Sequence, residues 1–124
     1  MFTENNSDFL MNSSVGIHCV AADGTILYAN QHELEVLGYE KDEYIGHKAS
    51  EFQMDQDVLD DMLKKLCNFE KLKNYPARVQ GKNGIKYLLY NSSVYQKEGE
   101  FVHTRCYAID VNKEAYEVFK AFRD

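Results

Sequence analysis

Apolar residues in this chain fall into short alternating runs broken by glycine and asparagine turns, and into a few stretches at helical spacing. Ser7 can cap a short helix reaching Met11, after which Gly16 to Ala21 alternates as a strand. Asp23-Gly24 supplies a tight hairpin turn, because glycine tolerates positive φ, and Thr25 to Ala29 is the return strand. Asn30 then fits an N-cap, with Leu34 and Leu37 on one helical face before Gly38 stops the helix. Glu40 to Gln53, interrupted by Gly46, predicts short helical turns. From Asp55 onward Val58, Leu59, Met62, Leu63 and Leu66 share a face, while Asp60–Lys64 and Asp61–Lys65 are i,i+4 pairs on the other.

The second half is strand-like. Tyr75, Ala77 and Val79 alternate with Pro76, Arg78 and Gln80, and proline cannot donate to a ladder, so this strand belongs at a sheet edge. Ile85 to Val94 and Phe101 to Ile109 follow as two longer strands joined across Lys97-Glu98-Gly99. Two hairpin-connected strand groups flanking a block of helices predict an α+β fold, one antiparallel sheet with helices on one face. Beyond Asp110, Ala115, Val118, Phe119 and Phe122 recur at helical spacing. That stripe either packs back onto the domain or pairs with a second copy of the chain, and the second arrangement is the one expected here.

Composition narrows the function classes. The 124 residues carry 14 Lys and Arg against 20 Asp and Glu, a formal net charge of −6, with no basic run. This balance speaks against nucleic acid and against polybasic membrane contact. The longest uncharged stretch, Phe9 to Ala22, has 14 residues and is too short and too polar to span a bilayer. Glu4 and Asp8 precede it where a secretory signal would be basic, so a cytoplasmic location is expected. Cys19, Cys67 and Cys106 are odd in number and lack C-x-x-C spacing, which suits reduced thiols.

The order of elements, together with Asp23-Gly-Thr-Ile-Leu27, Ala29-Asn-Gln31, Leu37-Gly-Tyr39, Glu43-Tyr-Ile-Gly46, Phe101-Val-His-Thr-Arg-Cys106 and Asp110-Val111, resembles the PAS sensor family, especially modules of bacterial sensor histidine kinases. The resemblance covers residues 15 to 111. It implies the PAS fold, a five-stranded antiparallel sheet cupped by helices, with residues 1–14 as a partly helical N-terminal segment and 112–124 as the start of a C-terminal linker helix. Such modules usually end in Asp-x-Thr, tying the last strand to the signalling helix; here Asn112 replaces the threonine.

Fold does not fix function, since relatives hold haem, flavin, small metabolites or nothing. Flavin photosensors of this fold carry a reactive cysteine in a Gly-x-Asn-Cys-Arg-Phe-Leu-Gln stretch. The matching residues run from Gly46 to Gln53, with Lys48 and Ala49 at the Asn and Cys positions, so no cysteinyl photocycle is expected. Haem-binding relatives usually present a histidine from the long helix, and Asp55 to Lys71 has none. His18 with Cys19, and His103 with Cys106, sit at spacings that put the two side chains on opposite strand faces, which excludes either pair as a chelate. His32-Glu33 lacks the proline that follows a phosphoacceptor histidine, and no nucleotide loop or nucleophile signature is visible. Neither catalysis nor a cofactor is expected of this chain, though a small metabolite is possible.

Alternation and the resemblance together assign Tyr87, Leu89 and Asn91 on one strand, and Thr104, Cys106 and Ala108 on the next, to the inner sheet face, with Phe52, Met62 and Leu66 opposite as the other wall of a ligand pocket. Asp110, Ala115, Val118, Phe119 and Phe122 are the candidates for signal transfer and dimerisation. The expected function is a non-catalytic sensory and dimerisation module, a homodimer attached to a downstream kinase. The alternatives are a domain built mainly for metabolite capture, or a module of a diguanylate cyclase or another output protein.

Overall fold

The computed structural model describes residues 1–123. Its elements are helix α1 (Asn6–Met11), strands β1 (Gly16–Val20) and β2 (Ile26–Ala29), helices α2 (Gln31–Leu37) and α3 (Lys41–Tyr44), and a 3₁₀ turn (Ala49–Glu51). Helix α4 (Gln56–Cys67), strands β3 (Leu72–Gly81), β4 (Gly84–Lys97) and β5 (Glu100–Val111), and helix α5 (Lys113–Arg123) complete the chain. The strands form one five-stranded antiparallel sheet in the order β2-β1-β5-β4-β3. Strand β3, with Pro76, lies at an edge as the missing N–H requires. Among the described residues no helix is long and apolar enough to cross a membrane.

The core lies between one sheet face and helices α2 to α4. Ile26, Leu37, Val58, Leu59, Met62, Leu66, Ala77, Val79, Leu88 and Tyr90 are all buried in it. On α4 the buried residues are Val58, Leu59, Met62 and Leu66, the face set by the apolar spacing, while Lys65 reaches back to Asp61 at 2.9 Å. At the other end of this layer Arg78 of β3 grips Asp55, the residue before α4, with Nε and Nη2 at 3.0 and 2.7 Å.

Two local details differ from expectation. Asn5, not Ser7, caps α1, its Oδ1 accepting from the Ser7 and Asp8 amides at 2.8 and 3.2 Å. Strand β3 starts at Leu72 because an irregularity between Leu72 and Tyr75, with Asn74 at φ 48°, lets the chain pair with β4 before the proline. Asn91 of β4 holds that irregularity, accepting from the Asn74 amide at 3.1 Å.

One buried side chain joins three segments. Asn30, fully buried, caps α2 through Oδ1, which accepts from the Glu33 amide at 3.0 Å and from the Ile17 amide of β1 at 2.9 Å. Its Nδ2 donates to the carbonyls of Leu10 and Val15, both at 2.9 Å. All four of its hydrogen-bonding positions are therefore used on backbone. Asn30→Ala loses a helix cap and orphans buried backbone groups, so the urea midpoint should fall by an amount corresponding to about 2–4 kcal/mol. Asn30→Asp, which sets a buried carboxylate oxygen against the Leu10 and Val15 carbonyls, should fall at least as far; equal stability in all three proteins would refute the joint.

Candidate functional site

The inner sheet face carries more polar chemistry than apolar alternation suggests. His18 of β1 and Glu33 of α2, 7% and 1% exposed, lie with Nδ1 and Oε2 2.6 Å apart. Glu33 reaches this position because Asn30 fixes the first turn of α2, and because Gly16 leaves room. A Cβ at Gly16 would meet Glu33 Oε1 at 2.7 Å and the Ala108 carbonyl at 3.1 Å. The His18 ring stands edge-on to Tyr90 of β4, centroids 5.5 Å apart. Across the β1–β5 ladder His18 is the direct partner of Cys106, whose sulfur lies 2.6 Å from the Ser92 hydroxyl of β4.

Burial opposes charge on His18, but the Cys106 sulfur and the Glu33 carboxylate outweigh it, so its pKa stands well above the ordinary value. Burial first, and then the Glu33 charge, push the hydroxyls of Tyr44 and Tyr90 well up. His18 and Tyr90 border a cavity of about 40 Å³ between sheet and α4. It is lined among others by His18, Gln53, Met62, Leu66, Tyr90 and Cys106. Gln53 donates Nε2 to the Tyr90 hydroxyl at 2.9 Å, while its Oε1 is buried without a partner.

The expected pocket residues separate into two sets. Met62, Leu66, Thr104 and Cys106 line the cavity; Thr104 Oγ1 also accepts from the Val20 amide at 2.9 Å. Phe52 and Ala108 belong to the surrounding core. Tyr87, Leu89 and Asn91, assigned above to the inner face, lie on the outer one. Ladder partners share a face, and Tyr90, Ser92 and Val94 stand opposite Ala108, Cys106 and Thr104, so the odd-numbered residues 87 to 91 point away. The alternation is illegible there because α5 covers the outer face, placing Tyr116 with its ring centroid 5.1 Å from that of Tyr87, so apolar residues occupy both parities.

Helix α5 also settles differently from its apolar stripe. Tyr116 is buried, Ala115 and Phe119 are half-buried, and Val118 and Phe122 are 56% and 85% exposed. The Arg123 guanidinium lies over the Tyr75 ring, 5.2 Å from its centroid, and also donates to the Pro76 carbonyl. Asn112 serves where the threonine was expected, its Oδ1 capping α5 by accepting from the Ala115 amide at 2.8 Å. Asp110 is exposed near the end of β5. His18, Glu33, Ser92, Gln53 and Tyr90 were not foreseen as site residues. Glu33 was legible, since it lies one turn before Leu37 on the apolar face of α2.

The residues present do not fit a flavin. A cofactor of that size needs a pocket of roughly 300 Å³ or more, whereas the cavity of about 40 Å³ is closed by Leu59, Met62 and Leu63, with Ala49 at the nucleophile position. Among the described residues no three His, Cys, Asp or Glu side chains are placed to hold a metal ion.

The His18–Glu33 pair makes stability depend on pH. Because the folded pKa of His18 is raised above its unfolded value near 6.5, its contribution is complete below that pH and is lost as pH rises through the folded value. Unfolding free energies measured from pH 6 upward should fall in the wild type and fall less in Glu33→Gln; identical slopes would refute the coupling. Glu33→Ala, which takes the carboxylate away from the buried imidazole, should cost about 3–5 kcal/mol below neutrality.

A PAS domain family model matches residues 14–119. The crystal structure of the PAS domain of an HTR-like protein from Haloarcula marismortui is similar at TM-score 0.71 and 24% identity, over 83% of this chain and 86% of that one. The dark structure of the blue-light photoreceptor Aureochrome1 LOV is similar at TM-score 0.77 and 14% identity, over 99% and 95%. A PAS domain from a two-component sensor histidine kinase is similar at TM-score 0.70 and 11% identity, over 84% and 91%. No curated protein matches. At these identities the structural likenesses speak for the fold alone, and the family model, spanning most of the length, shows that this chain belongs to the PAS domain family.

Proposed function

We propose that this chain is a non-catalytic sensory and dimerisation module of a larger signalling protein, with the buried polar cavity as its input and α5 as its output. The observation that carries this reading is Tyr75. Its ring is buried in the core beside α4, its hydroxyl donates to Asp61 of α4 at 2.6 Å, and Arg123 of α5 rests on its face. A shift of α4 against the sheet would therefore be felt by α5 through one side chain.

A sensor histidine kinase is the favoured parent, on the likeness to a PAS domain from such a kinase. The same layout would serve a diguanylate cyclase or another output protein. Metabolite capture as the main role is less favoured, because about 40 Å³ admits only a very small molecule. Homodimerisation is supported by Val118 and Phe122, which stay exposed on α5 while Tyr116 and Arg123 bind it to the sheet. The free thiols agree with a reducing cytoplasm.

Sedimentation of the full chain and of a chain lacking residues 112–124 tests this: the full chain should self-associate and the shortened one should not. Tyr116→Ala should speed amide exchange in residues 113–123 by an order of magnitude or more, through loss of roughly 1–3 kcal/mol of packing, while the exchange of β4 and β5 stays slow. Monomeric behaviour of both lengths would count against the dimer role.

A further inference from the structure

We propose that Cys106, with His18 and Glu33, forms a thiol site for hydrogen peroxide inside the cavity, where the sulfur is oxidised to a sulfenic acid. This deepens the sensory reading and rests on the cavity being the input site. Three buried groups neighbour one another: Cys106, His18, which is its direct partner on the same face of the β1–β5 ladder, and the Glu33 carboxylate 2.6 Å from His18 Nδ1. A nucleophile, an imidazole and a group that orients the imidazole is the arrangement that activates a thiol. The Ser92 hydroxyl, 2.6 Å from the sulfur, is a further hydrogen-bond partner for it.

Were Cys106 only a filler of the core, hydrogen-bonded Ser92 would satisfy it and nothing more would be needed. The cavity adds what such a filler does not explain. His18 and Cys106 both line it, as does Gln53, whose Oε1 is buried without a protein partner. Turning the Gln53 amide over would give Oε1 to Tyr90 and strand the nitrogen instead, so one amide atom lacks a protein partner in either orientation. A ligand with O–H donors meets that need. The volume of about 40 Å³ suits a molecule of two or three heavy atoms, and Ala49, Gln53 and Leu63, the half-buried part of the lining, mark the side nearest solvent.

In the reaction the sulfur attacks one peroxide oxygen. An S–O bond forms as the O–O bond breaks, and the thiol proton passes by way of the His18 ring to the departing oxygen. Thiol and hydrogen peroxide become sulfenic acid and water, with sulfur giving up the two electrons that the O–O bond takes. His18 moves the proton; Glu33 is a positioning residue. Cys19, on the outer sheet face beside His103 and Arg105, has its thiol pushed up by burial, and Cys67 is exposed at the end of α4. The event is stoichiometric and leaves an added oxygen against Met62, Leu66 and Tyr90.

The reduced full chain is exposed to hydrogen peroxide for timed intervals, then quenched in denaturant containing dimedone and mapped by mass spectrometry. Cys106 should be trapped as its sulfenic acid before the exposed Cys67. His18→Gln and Glu33→Gln should each slow Cys106 about tenfold or more and leave Cys67 unchanged, and Glu33→Gln should shift the pH profile of the Cys106 rate. A variant that merely loosened the fold would speed Cys106 instead. The bulkier cumene hydroperoxide should react with Cys106 at least about tenfold more slowly than hydrogen peroxide, as a small cavity demands. Oxidation of Cys67 ahead of Cys106, or a Cys106 rate unaltered in Glu33→Gln, overturns the proposal; neither result touches the sedimentation and exchange of α5, which test the sensory module separately.

Discussion

A carboxylate at the centre of a hydrophobic core constrains everything around it. Moving such a group out of water costs several kcal/mol unless a partner of good geometry compensates. The chain answers with a set of choices that make sense only together. His18 stands within 2.6 Å, Gly16 gives up its side chain so that Glu33 Oε1 has room, and Asn30 fixes the backbone amide of Glu33 itself. Because Asn30 also holds Leu10 and Val15, the same hydrogen bonds that aim Glu33 fasten the N-terminal helix to the sheet. Chain entry, first strand and first core helix are thus placed by one polar requirement, whereas α4 is placed by its apolar face together with peripheral contacts of Asp55 and Asp61.

That division explains what the sequence disclosed. Turns at Asp23-Gly24 and Gly38, the amphipathic face of α4 and the edge position of Pro76 each depend on local chemistry, and local chemistry is visible in a one-dimensional pattern. The facing of β4 is not local. With helices on one side and α5 on the other, Tyr87, Leu88, Leu89 and Tyr90 all find cover, so alternation carries no sign. Only the register against β5 decides, and register is a property of two distant segments. The seat of α5 on the domain is hidden for a related reason: its anchors are Tyr116 and Arg123, a hydroxyl-bearing ring and a cation, which a count of aliphatic positions passes over.

The attachment of α5 differs in kind from that of α4. Helix α4 buries Val58, Leu59, Met62 and Leu66 in a continuous core, while α5 buries one tyrosine and rests an arginine on another. A cation resting on an aromatic face is worth about 0.5–2 kcal/mol, so α5 is held to the sheet by fewer and weaker contacts than α4, and a smaller input suffices to displace it.

The size of the cavity sets how such an input can act. A large ligand would do so by bulk, filling space that is empty without it. In about 40 Å³ only the addition or loss of an atom or a charge matters, and the groups there are arranged to feel both. His18 and Glu33 are paired, Cys106 stands opposite His18 in the ladder, the Tyr90 ring meets that of His18 and its hydroxyl the amide of Gln53, and Met62 and Leu66 of α4 form the wall that any added atom must press. Helix α4 is also where Asp61 meets Tyr75, and Tyr75 is where Arg123 meets the domain. The cavity wall and the Asp61 carboxylate thus belong to one helix, and a displacement of α4 reaches the last described turn of α5 through Tyr75 and Arg123 without the sheet having to deform.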